Sequence, residues 1–105
     1  MITNIEAKNA KKLLEENKEI TILDVRTEEE FNEGHIPNAV NMDVQDHLFK
    51  QKVNTLDKEK IYLVHCRSGM RSCAAIEMMD SQGFTNIYHL HQGFLEWEES
   101  GLPTE

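Results

Sequence analysis

No run of about 18 apolar residues, the length a helix needs to cross a bilayer, occurs anywhere in the chain. Basic residues are also scarce. Eleven Lys and Arg stand against 19 Asp and Glu, a net charge of −8, and no basic stripe is present to neutralise the phosphates of a nucleic acid. Neither a membrane nor a nucleic acid is therefore expected as a partner. Cysteine is limited to Cys66 and Cys73. Two cysteines would fit one disulfide in an exported protein, but Met1-Ile2-Thr3-Asn4-Ile5-Glu6 lacks the charged and apolar regions of a signal peptide. A cytoplasmic location with free thiols is expected. Repeats, low-complexity tracts and disorder-prone composition are absent too, and 39% hydrophobic with 29% charged residues is ordinary for a globular protein. At 105 residues the chain is expected to be one domain, 1–105, burying roughly 60–70% of its unfolded surface.

What is present is an alternation of strand-like and helix-like pieces. Glu6 to Asn17 has helix-forming composition, with Thr3 or Asn4 near its start. Ile20 to Val25 is apolar and β-branched, as a buried strand should be. Thr27 followed by Glu30 is a capping box opening a short helix that Gly34 ends. Val40-Asn41-Met42 predicts a short strand, Val44 to Lys52 a polar helix, Ile61 to His65 a central strand, Asn86 to Leu90 another, and Phe94 to Ser100 a closing helix. Strands separated by helices imply right-handed crossovers, so the fold class is α/β with a mainly parallel central sheet and helices on both faces. Ligands in such sheets bind beyond the carboxyl ends of the strands.

One strand end carries the chemistry. Ile61-Tyr62-Leu63-Val64 runs into His65-Cys66-Arg67-Ser68-Gly69-Met70-Arg71-Ser72, and from Met70 to Gln82 the chain has helix formers before the Gly83 stop. Cys66 then sits at a strand-to-helix turn, where unpaired N–H groups and the positive end of the helix dipole stabilise an anion. The bland reading is a cysteine filling the core, but two arginines, two serines and a glycine in the next six positions make poor core filling. The dipole supplies roughly 0.3–1 kcal/mol, under one pKa unit at about 1.36 kcal/mol each. Direct N–H contacts and at least one arginine are thus expected to help depress the thiol into the reactive range. Cys73 is expected to be a buried core cysteine, the alternative being a resolving thiol.

Loop length separates two chemistries. Protein tyrosine phosphatases place five residues between His-Cys and Arg-Ser, whereas this chain has only Arg67, Ser68, Gly69 and Met70 before Arg71-Ser72. The smaller loop suits a terminal sulfur on Cys66 better than a phosphoryl group. The segment resembles the active-site loop of the rhodanese-like sulfurtransferases, six residues from Cys66 to Arg71. Asp24-Val25-Arg26, Glu30-Phe31 and Gly34-His35-Ile36-Pro37-Asn38-Ala39 are similar to that family's N-terminal motif. Gly93-Phe94-Leu95-Glu96-Trp97 with Gly101-Leu102-Pro103 is similar to its closing one, with Gln92 where the family usually has a first glycine.

The resemblance implies a single rhodanese-like domain in which the Cys66 thiolate takes a sulfane sulfur as a persulfide and passes it on by ping-pong transfer. Arg67, Ser68, Gly69, Met70, Arg71 and Ser72 would hold the negative sulfur and the donor, with Arg71 the better candidate to orient an anionic donor and Arg67 the second. Asp24 and Arg26 are expected as a structural ion pair or loop anchor, and His65 as a residue behind Cys66, pointing to the opposite sheet face. The implied partners are small sulfur donors such as thiosulfate or persulfides, and a thiol or protein acceptor. No organic cofactor is implied. No metal is implied either, because His89-x-His91 has no carboxylate or cysteine pair at ligand spacing, and His35 belongs to a turn where a backbone bond suffices. Two alternatives use the same residues: a sulfur carrier or regulatory module that passes persulfide only to a protein partner, and a small phosphatase or arsenate reductase. Trp97 and Phe94 are expected in the core, and Glu28-Glu29-Glu30 as a solvated helix face.

Overall fold

Apolar runs of four or five residues alternate with amphipathic segments along the chain, and a computed structural model, describing all residues 1–105, turns them into ten elements. These are β1 (Ile2–Ile5), α1 (Ala7–Glu16), β2 (Thr21–Asp24), α2 (Glu28–Glu33), β3 (Val40–Asn41), α3 (Phe49–Val53), β4 (Ile61–His65), α4 (Met70–Ser81), β5 (Asn86–Leu90) and α5 (Gly93–Glu99). All strand pairs are parallel, in the order β1-β5-β4-β2-β3. The α/β reading with a parallel sheet is what the structure shows. No helix is long and apolar enough to cross a membrane.

The period-2 alternation of β4 divides the core. Tyr62, Val64 and Cys66 join Phe49, Val53, Ala75, Ile76 and Met79 from α3 and α4 on one face, while Leu63 joins Ala7, Ala10, Phe94 and Trp97 from α1 and α5 on the other. Each fully buried aliphatic side chain contributes roughly 1.5–3 kcal/mol relative to exposure. The sheet is thereby fixed between two helical layers.

Three expectations are corrected. Ile2–Ile5 is an edge strand paired with β5, not the approach to a helix; Ile2 and Ile5 lie three apart, which mimics helical spacing, and Thr3 and Asn4 resemble caps. The helix cap moves to Glu6, whose side chain makes no capping bond; the Ala7 N–H instead donates to Glu96 Oε1 at 2.8 Å. The helix expected over 44–52 shrinks to Phe49–Val53. Asp43 and Asp46 accept from the N–H groups of Gln45 and Leu48, both at 2.9 Å, and these local bonds compete with helical ones.

Candidate active site

Register brings the sequence motifs to one end of the sheet. Asp24 pairs with His65 and Val64 with His89, so the carboxyl ends of β2, β4 and β5 lie side by side and Cys66 leaves β4 between its neighbours. The chain then turns through Gly69, which caps α4 without a side-chain bond. The Gly69 N–H donates to Cys66 Sγ at 3.1 Å, and the Ser72 Oγ lies 3.4 Å from the same sulfur. Cys66 itself is only 1% exposed.

Burial pushes the Cys66 thiol up, but hydrogen bonds from the Ser72 hydroxyl and from the N–H groups of Ser72, Gly69 and Ser68 outweigh it, and the net shift is downward. These donors form the expected anion-holding turn. The expected arginine contribution is weaker than the sequence suggested. Arg67 is exposed, and the Arg71 guanidinium is held by Glu30 at 2.6 and 3.0 Å. Arg71 is pushed up first by that bond and only at longer range by Cys66. Glu30 is therefore no solvated helix face. It closes the Thr27 capping box and grips Arg71 with the same carboxylate, which its guanidinium partner holds near a pKa of about 2.

Two glycines make the turn sterically feasible. Gly69 has φ +111°, and a Cβ there would meet the His91 carbonyl oxygen at 2.3 Å; Gly93 has φ +72°, and its Cβ would meet the Arg67 oxygen at 2.2 Å. This close approach lets Phe94 and Leu95 donate to the carbonyls of Cys66 and Arg67 at 2.9 and 3.0 Å. The start of α5 thus clamps the loop from behind. Gln92, at φ −91° and ψ −4°, has a negative φ open to any residue, so position 92 does not need a glycine's conformational freedom.

Behind the loop, Arg26 and Asp24 form a buried bidentate pair at 2.7 and 3.0 Å. Arg26 also donates to the Gly34 carbonyl at 2.7 Å and lies 4.3 Å over the Phe94 ring. Asn41 donates to the carbonyls of Asp24 and Arg26. The pair thus anchors three segments and points away from Cys66. His65 takes the face opposite Cys66, stacking near Phe94, and its Nδ1 donates to the Cys66 carbonyl at 3.0 Å. Burial pushes its basicity down. His35 donates to the Phe31 carbonyl at 2.9 Å and stacks on that ring.

A cysteine on a six-residue loop, clamped by a glycine-opened helix and backed by a buried Asp-Arg pair, has counterparts. The rhodanese-like domain pattern matches residues 6–100.

The chain belongs to the rhodanese-like domain family.

A Bacillus subtilis protein, YtwF, provisionally named a sulfurtransferase, is 38% identical over 102 residues, covering 97% of this chain and 96% of that protein. The thiosulfate sulfurtransferase GlpE of Coxiella burnetii is 33% identical over 85 residues, 81% of this chain and 78% of its own. A rhodanese-related protein from Thermoplasma volcanium superposes with a TM-score of 0.83 at 35% identity, covering 98% and 97% of the two chains.

Within this rhodanese-like domain the motif residues do not all face the sulfur. Gly69, Ser72 and the Ser68 N–H converge on it, whereas the Met70 side chain is 84% exposed. Cys73 is exposed, against the expectation of a core cysteine, because it follows buried Ser72 by one residue and so falls on the outer face of α4. The residue that sequence reasoning passed over is His89. Weighed only as a metal ligand, it lies 2.7 Å from the Ser72 hydroxyl. Alternation along β5 held the signal, since it puts His89 on the same face as Ile87, which packs beside Val64 and Cys66.

Proposed function

We propose that this rhodanese-like domain is a sulfurtransferase that carries sulfane sulfur as a persulfide on Cys66. The observation supporting this is the buried Cys66 sulfur at the mouth of α4, which accepts from the Gly69 N–H and lies 3.4 Å from the Ser72 hydroxyl. With thiosulfate, the Cys66 thiolate attacks the outer sulfur, the S–S bond of the donor breaks, and sulfite leaves with the electron pair. The terminal sulfur of the resulting persulfide carries the negative charge, which the same N–H donors hold. A thiophilic acceptor, a thiol or cyanide, then attacks that outer sulfur and Cys66 departs as the thiolate. Every bond made and broken lies on sulfur, so the protein supplies donors and exclusion of water.

The direct test is steady-state transfer from thiosulfate to cyanide. Cys66→Ser should reduce turnover to background, while Cys73→Ser, altering an exposed side chain, should retain at least about half of it. Equal loss in both folded variants would contradict a mechanism resting on Cys66 alone.

A further inference from the structure

Behind Cys66 three groups from three elements line up. The Ser72 Oγ, buried in the first turn of α4, stands 3.4 Å from Cys66 Sγ and 2.7 Å from Nε2 of His89 on β5. His89 is 5% exposed and Ser72 is fully buried. Ser72 is one of the donors of the anion-holding turn, whereas His89 makes no contact with the sulfur and reaches it only through that hydroxyl. A buried imidazole within hydrogen-bond distance of a hydroxyl that itself reaches the nucleophile has a specific chemical consequence.

We propose that His89 holds the proton of Cys66, acting through the Ser72 hydroxyl. In the thiol state Cys66 S–H donates to Ser72 Oγ, and Ser72 O–H donates to His89 Nε2, the ring proton residing on Nδ1. On ionisation the sulfur proton passes to Ser72 Oγ while the hydroxyl proton passes to Nε2. The products are a thiolate, a hydroxyl that now donates to sulfur, and an imidazolium that donates from Nε2 to Oγ. One proton leaves sulfur, one reaches the ring, and no electron is transferred. His89 is thus a positioning residue for the proposed sulfur transfer, and this role rests on Cys66 being its nucleophile.

A competing acceptor explains why the histidine matters. Ser72 Oγ also lies 3.1 Å from the Gly69 carbonyl, a rival acceptor for its single proton. An imidazolium at Nε2 fills one lone pair of Oγ and leaves its proton to choose between a neutral carbonyl and a charged sulfur. The charge-assisted bond is the stronger. The titratable groups around His89 are Cys66 through Ser72, His91 with its ring 6.5 Å away, and His65 on β4. Burial first, then His91 and His65, lower its basicity, and the thiolate it faces through Ser72 is the charge that offsets them. The hydroxyl stays aimed at Sγ when Cys66 departs as the acceptor takes the outer sulfur.

The test is iodoacetamide alkylation of the full chain against pH, for the wild type, Ser72→Ala, His89→Gln and the double variant, with Cys73→Ser in every background so that Cys66 alone is read. Glutamine keeps a hydrogen bond to Ser72 but cannot hold the proton. Each single change should raise the Cys66 inflection by about one pKa unit, tenfold less thiolate on the acid side, and the double variant should shift no further than the larger single. An unmoved inflection in folded His89→Gln, or shifts that add, would overturn the relay. A measurement on the unmutated chain is independent of folding: the ring-nitrogen NMR signals of His89 should show an imidazolium that outlasts the Cys66 thiol inflection, with a midpoint that falls once Cys66 is carboxamidomethylated. A midpoint indifferent to alkylation would also overturn it. Both experiments read ionisation without a sulfur donor, so a chain that ionises this way yet transfers no sulfur would sink the proposed function and leave the relay standing.

Discussion

A thiol that is 1% exposed titrates above its free value unless fixed donors replace the water it has lost. At Cys66 those donors are the Ser72 hydroxyl and three backbone N–H groups, all oriented by the conformation of Gly69. Position 69 is therefore where a single methyl group does most harm. Gly69→Ala must place a Cβ 2.3 Å from the His91 oxygen at φ +111°; the strained backbone and displaced loop should cost about 3 kcal/mol, read by urea denaturation. It should also abolish rapid alkylation of Cys66. Gly101→Ala, where φ is +71° but nothing lies within 4 Å, should cost only about 1 kcal/mol. Equal losses at the two sites would mean that close approach around the loop is unimportant. Cys66 was legible in the sequence because polar, glycine-containing residues after a buried strand leave few bland readings. The contact of His89 with Ser72 was legible only in part: alternation along β5 gives its face, but the pairing with β4 that brings it to Ser72 is encoded in no local pattern.

At the scale of elements, α2 shows how a local signal acquires a second task. Thr27 and Glu30 announce a capping box, and the box forms. Nothing in the spacing says that the Glu30 carboxylate also grips Arg71 from α4, 41 residues away. Glu30 has its pKa lowered to about 2 from 4.5. A carboxyl with a depressed folded value contributes stability that is complete above its unfolded pKa and is lost as pH falls through about 2. Because both side chains are about one-quarter exposed, solvent screening discounts the contribution to about 1 kcal/mol. Glu30→Gln should accordingly lower stability by about 1 kcal/mol at neutral pH, with the difference from wild type shrinking below pH 4.5. A difference unchanged by acid would place the effect in the cap alone. The misread elements, β1 and α3, share a cause: short segments whose caps and Asx turns imitate, or displace, helical pattern.

The whole molecule repeats the division between what pattern specifies and what packing decides. Alternating runs were enough to give a parallel α/β sheet with Cys66 beyond a strand end, since period 2 and period 3.6 leave different traces. Strand order was not legible, and strand order is what sets Asp24 beside His65 and His89 on the Cys66 face. The net charge of −8 does not prevent an anionic donor from reaching the loop, because exposed charges are screened beyond ~8 Å at physiological salt, and the donors that hold sulfur are neutral N–H and O–H groups within 3.4 Å. The central claim is that Cys66 stores a sulfur atom. It is tested most directly by intact-mass spectrometry of the full chain after brief incubation with thiosulfate or glutathione persulfide. The wild type and Cys73→Ser should each gain the mass of one sulfur atom, removed by cyanide and localised to the peptide containing Cys66, and Cys66→Ser should gain none. An unchanged wild-type mass with both donors, or a sulfur retained by Cys66→Ser, would contradict the account.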